Sequence, residues 1–164
     1  MRVLGVDPGT RITGVGMIET QGNRYQPLHF EIIRISDKLS IADKLKFIYD
    51  TLTEMLVIYR PEVLALEDVF FGENLRSMVK LGEARAAVML AASGQNIPVV
   101  EYAPARIKQS VTGNGRATKV QMQHMVKRLL NMKEVPPPDA ADALAVAICH
   151  VHSKRWNKVV CTNT

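Results

Sequence analysis

The apolar pattern of this chain switches period at Ile41. Before it, residues 3–6, 13–19 and 26–35 read as three strands, the first closed by Asp7-Pro8-Gly9 and the second parted from the third by Gln21-Gly22-Asn23. After it, Ile41, Leu45, Ile48, Leu52, Met55 and Tyr59 fall at the three-and-four spacing of one helix face, and Pro61 stops the run. Residues 63–67 form a second short apolar run that ends in a carboxylate. A helix is expected over 75–93, with Gly94 as its closing C′ residue. A strand follows at 98–102. A helix over 118–130 opens with Thr118 and Gln121 in capping-box spacing. Pro136-Pro137-Pro138 ends a linker, and a last helix runs from Asp139 to about His152. The order β-β-β-α-β-α-β-α-α predicts an α/β fold, a mixed sheet with helices packed on it. A single domain over 1–153 with a C-terminal tail at 154–164 is expected.

A chain of 164 residues can bury enough surface to need no disulfide or metal for its core. Cys149 and Cys161 have neither zinc-site nor redox spacing, which points to a reducing compartment. Arg2, Asp7 and Arg11 exclude a signal-peptide apolar core. The longest uncharged run, 86–100, is too short and too polar to cross a bilayer. A cytoplasmic protein with no membrane association is expected.

The acidic residues point to chemistry. Asp7 and Glu67 each end an apolar strand. Asp139 and Asp142 lie three apart in an Ala-rich stretch, so they share a helix face. Each alone has an ordinary explanation. Asp7 could form an Asx turn, Asp139 could cap a helix, and Asp142 could face water. Together they are costly to bury unless they are paired or hold a cation. Hard oxygen donors without His or Cys companions suit Mg²⁺ or Mn²⁺. Several such carboxylates can hold two ions about 4 Å apart, clamping the attacking and leaving oxygens of a phosphodiester.

Charge is unevenly distributed. The chain carries 21 Lys and Arg against 16 Asp and Glu, a net +5 that favours a polyanionic partner. Arg106, Lys108, Arg116, Lys119, Lys127, Arg128 and Lys133 fall in one stretch free of Asp and Glu. The stretch is either a solvated helix face or a track for phosphates, with the Gly-rich segment 111–116 as a flexible loop between basic residues. Phe70 and Phe71 precede Gly72 in a polar segment; one ring could stack on an unpaired base and the other anchor the loop. Ala84, Ala86, Ala87, Ala91 and Ala92 permit close helix–helix approach, within the fold or across a dimer. His124 and His150 have no ligand-like spacing.

Five blocks carry a resemblance: residues 5–11 (Gly-Val-Asp-Pro-Gly-Thr-Arg), 66–70 (Leu-Glu-Asp-Val-Phe), 80–85 (Lys-Leu-Gly-Glu-Ala-Arg), 108–113 (Lys-Gln-Ser-Val-Thr-Gly) and 139–145 (Asp-Ala-Ala-Asp-Ala-Leu-Ala). In this order and spacing they resemble the RuvC family of Holliday-junction resolvases, over nearly the whole chain. The resemblance implies an RNase H-like (retroviral integrase superfamily) five-stranded mixed sheet flanked by helices. It also implies a homodimer acting on four-way junction DNA, in partnership with the RuvA and RuvB branch-migration proteins. Asp7, Glu67, Asp139 and Asp142 match the family's catalytic, metal-binding carboxylates, for two Mg²⁺ per active site with Mn²⁺ able to substitute. Phe70 matches the base-stacking aromatic, with Phe71 beside it as the other candidate. Lys108 and Lys119 match basic residues near the scissile phosphate, and Arg116 lies in the same DNA-contacting stretch. Asp68 stands where the family commonly has Gln, adding charge beside Glu67. From the residues alone, three other readings stay open: an ATP-binding fold of the actin and sugar-kinase type, a non-catalytic nucleic-acid-binding module, and an RNase H-like nuclease acting on RNA.

Overall fold

A computed structural model describes residues 1–22, 24–68 and 75–161. The first three strands, β1 (Arg2–Asp7), β2 (Ile12–Gln21) and β3 (Arg24–Arg34), form an antiparallel meander. Then come helix α1 (Ile41–Tyr59), strand β4 (Val63–Glu67), helix α2 (Leu75–Gly94) and strand β5 (Val99–Tyr102). Three helices close the chain: α3 (Pro104–Thr112), α4 (Lys119–Leu129) and α5 (Pro138–Cys161). The sheet has five strands in the order β3-β2-β1-β4-β5, with β4 parallel to both β1 and β5.

Alternation along the strands divides the core into two layers. Leu4, Val6, Val15, Met17, Leu64 and Leu66 pack against Ile48, Leu52 and Leu56 of α1 and Ala84, Val88 and Ala91 of α2. Val3, Ile18, Val63 and Ala65 face the other way, onto Leu144, Ala145 and Ile148 of α5, with α3 and α4 filling the flank. The central strands are covered on both sides, so they read as unbroken apolar runs.

Helix α5 lies unusually close to the sheet because three glycines face it. A Cβ at Gly5 would fall on the Ala143 carbonyl oxygen, one at Gly14 on the Asp139 carbonyl oxygen, and one at Gly16 on the Leu144 side chain. Gly5 pairs with Gly16 across the β1–β2 ladder, and Gly14 pairs with Asp7. These glycines form a shallow seat for the helix, and its first turn comes to rest over the end of β1.

The structure corrects three details of the sequence reading. Helix α3 was not expected, and it absorbs Val111 and Thr112 from the supposed loop; Gly113, left-handed at φ 76°, closes it. Helix α2 does not end on a left-handed Gly94. Asn96 takes that conformation at φ 56°, with Asn96 N–H donating to Ser93 and Ile97 N–H to Ala92 in a Schellman closure. Helix α5 continues to Cys161, beyond the reach of its apolar pattern. The capping box at Thr118 and Gln121 forms as expected. No helix among the described residues is long and apolar enough to cross a membrane.

Candidate active site

Asp7 and Glu67 end neighbouring parallel strands, whose Val6 and Leu66 are in register. They therefore stand side by side at the carboxyl edge of the sheet, where open α/β sheets form their crevices. The turn after Asp7 is tied back on itself. The buried Thr13 hydroxyl donates to the Gly9 carbonyl at 2.9 Å and accepts from Gly9 N–H at 3.2 Å. Asp139 and Asp142 come from the first turns of α5. Asp139 is inside the helix, whose first turn is closed by Ala141 N–H donating to Pro137, so it is not the capping residue.

Asp7, Glu67 and Asp142 line one cavity of about 250 Å³, with Lys108 and Lys119 on its wall and Ile107, Met122 and Ala145 as its apolar lining. A second cavity, about 210 Å³, opens on the other side of Asp7 and Glu67 and is lined by Pro8, Asp68, Leu81, Arg85 and Pro104. Lys119 Nζ lies 3.7 Å from Asp142 Oδ2. Of the residues singled out from sequence, the structure thus gathers Asp7, Glu67, Asp142, Lys108 and Lys119. Asp139 stands one turn away on α5 and acts on Asp7 and Asp142 through its charge. Arg116 is exposed and does not line the cavity. Phe70 and Phe71 lie outside the described residues.

The electrostatics of the set are strained. Burial pushes the Asp7 carboxyl up to about 7, reinforced by the charges of Asp142, Glu67 and Asp139 and only partly offset by Lys119. Glu67 is raised by burial and by Asp142, while Lys108, Lys119 and Arg85 pull it back. Asp142 is raised by burial and by Asp139, against Lys119 and Lys108. Like charges gathered in a partly dry crevice leave one group holding a proton near neutral pH, unless a cation replaces it. The donors are carboxylate oxygens, which fit a hard divalent ion. Among the described residues no three His, Cys, Asp or Glu side chains are already drawn together as a formed metal centre. The carboxylates share a field rather than a closed shell.

Two features of the site escaped the sequence reading. One is the glycine seat, legible as Gly14 and Gly16 two apart on a strand. The other is Arg85, a buried charge between Ala84 and Ala87, whose guanidinium reaches the backbone of Glu67.

Comparison with known proteins places the chain in a family. A family profile described as Crossover junction endodeoxyribonuclease RuvC matches residues 3–150. The curated protein of that name from Desulforamulus reducens is 48% identical over 151 residues, covering 92% of this chain and 93% of its own. The Thermus thermophilus RuvC structure superposes with a TM-score of 0.89 at 34% identity, over 96% of this chain and 97% of that one. The structure of T. thermophilus RuvC in complex with Holliday junction substrate gives a TM-score of 0.91 at 34% identity, over 96% of each chain. The fold is RNase H-like, as the resemblance implied, and the chain belongs to the RuvC family of crossover junction endodeoxyribonucleases.

Proposed function

We propose that this chain resolves four-way DNA junctions by paired, metal-dependent nicking of two strands of like polarity, leaving 5′-phosphate and 3′-hydroxyl ends, in recombination and repair. The observation that carries this reading is the meeting of Asp7, Glu67 and Asp142 around one cavity walled by Lys108 and Lys119. It occurs in a chain similar over 96% of its length to a RuvC seen with its junction.

Asp7, Glu67, Asp139 and Asp142 are the residues that would hold two Mg²⁺, or Mn²⁺ in their place. Bound there, such ions supply Lewis acidity toward the phosphodiester and its attacking water. The carboxylates hold a concentrated negative field that rejects a bare phosphate until that field is neutralised. Lys108 and Lys119 offset charge gathering on the phosphate oxygens, at the point where stabilisation counts most. Ile107, Met122 and Ala145 keep one wall dry, which strengthens these interactions. Phe70, with Phe71 as the alternative, stacks on an unpaired base at the exchange point.

A homodimer fits a substrate with two equivalent exchanging strands. Its support here is an apolar stripe along α2 (Leu75, Val79, Ala86, Leu90), whose Leu90 is 63% exposed. Beside it lies an open apolar groove shared with Leu45 and Tyr49 of α1. RuvA and RuvB are the proposed branch-migration partners, on the strength of family membership.

The test uses a synthetic four-way junction with a mobile core, each strand end-labelled in turn, in Mg²⁺ or in EDTA. Symmetric, Mg²⁺-dependent nicks in one strand pair, absent from linear duplex, are expected. Tight binding with no cuts under any divalent ion would turn the reading to a binding module.

A further inference from the structure

Arg85 is the only Lys, Arg, Asp or Glu among the described residues that is buried, at 7% exposed. A guanidinium out of water is costly unless its charge and its donors are met. Here they are met at the end of the sheet. Nη1 donates to the backbone carbonyl of Glu67; Nη2 donates to the Glu101 carboxylate and lies 4.0 Å from Asp68 Oδ1. Glu67 and Glu101 belong to neighbouring parallel strands, where Leu66 pairs with Glu101 and Glu67 with Tyr102.

The Glu67 carbonyl and the Asp68 N–H are the two ends of one peptide unit. The carbonyl accepts from Arg85, and the N–H donates to the Tyr102 carbonyl at 2.9 Å. A planar peptide held at both polar atoms cannot swivel. The dihedral angle that links it to the Glu67 Cα is thereby set, and with it the bearing of the side chain. Strand pairing alone supplies only the N–H half of this grip, because β4 ends at Glu67.

We propose that Arg85 is a positioning residue for phosphodiester cleavage: by gripping the Glu67–Asp68 peptide it holds the Glu67 carboxylate in place beside Asp7 and Asp142. This rests on the reading of Glu67 as a metal-binding carboxylate. The competing role is a plain tie between α2 and the sheet. The two roles part at lysine, which keeps the charge but cannot reach Glu67 and Glu101 at once.

The experiment compares the full chain with Arg85→Lys and Glu101→Gln. It reads single-turnover nicking of a four-way junction, junction affinity in EDTA, Mn²⁺ binding by calorimetry, and Tm. A displacement of about 1 Å at a reacting group costs about 100-fold in rate, and that loss is expected for Arg85→Lys. Its junction affinity in EDTA should stay within about twofold of the parent, because binding without metal does not call on the bearing of the Glu67 carboxylate. Mn²⁺ binding weakens in the same variant. Glu101→Gln removes the partner carboxylate, 41% exposed, without emptying the core, and loses about tenfold in rate at an unchanged Tm. Parental rate and Mn²⁺ affinity in Arg85→Lys would overturn the proposal. So would rate, junction affinity and Tm falling together in both variants, the mark of a structural tie. If the parent itself makes no metal-dependent nick, the reading of the whole site fails instead, and the two failures are distinguishable.

Discussion

The Lys119 ammonium stands 3.7 Å from Oδ2 of Asp142, yet the carboxyl it faces remains above its ordinary range. Lys119 is 78% exposed and its charge is spent largely on water, whereas Asp142 is 24% exposed and feels burial first. Lys119 nonetheless pulls down Asp7 and Glu67 as well. Lys119→Ala should therefore raise the proton affinity of all three carboxyls. The acid limb of the cleavage pH–rate profile is expected to move to higher pH, and a limb that stays in place would separate Lys119 from the carboxylates.

Asp7→Asn should keep junction binding and lose cleavage by at least about 1,000-fold, the scale of removing a central group from a site that acts as a unit. Gel-shift and nicking assays on the same junction read both quantities. Loss of folding in this variant would make Asp7 structural.

The metal-free protein should lose stability as pH rises from about 4 to about 7. The sign follows from Asp7, raised from 3.8 to about 7 on folding. The folded state binds the proton more tightly than the unfolded state. Its stabilising effect is complete below the unfolded value and gone once pH passes the folded one. Asp7→Asn removes the effect and should raise the metal-free Tm at pH 8 by a few degrees, on the order of 4 °C per kcal/mol. Thermal melts across pH, with and without Mg²⁺, check this.

Gly5→Ala and Gly14→Ala test the seat of α5. Each added methyl meets helix backbone rather than a side chain that can turn aside. Overpacking a tight core costs about 1–3 kcal/mol, and a backbone clash belongs at or above the top of that range. Urea melts should register it, and cleavage should fall further than stability, because α5 carries Asp139 and Asp142.

Phe70→Ala should reduce junction cutting by about 5- to 150-fold, the worth of one stacked base, with Tm unchanged. Unchanged cutting in Phe70→Ala, paired with loss in Phe71→Ala, would assign the ring to Phe71.

What the sequence made legible followed from strong, local signals. Asp7 and Glu67 stand out because each ends an unbroken apolar strand, and the capping box at Thr118 is a two-residue pattern with a single meaning. Helix α3 stayed hidden because only Ile107 and Val111 turn inward, too few to display a period. The end of α2 was misplaced because glycine is the usual left-handed residue, whereas here Asn96 takes that conformation. The seat of glycines and the grip of Arg85 depend on contacts between elements far apart in the chain, and no local window holds both sides. The cavity itself belongs to that second class: Asp7 and Asp142 acquire a common environment only through the close packing of α5 on β1 and β2.

That packing also sets an order of events. Asp7 lies on β1 and Asp142 on α5, with every other element of the sheet between them in the chain. The glycine seat of α5, from Gly5 to Gly16, is synthesised before the helix and waits for it. The carboxylate set is therefore complete only when the whole domain has been made and closed, so a chain that stops short of α5 carries scattered acids rather than one cavity.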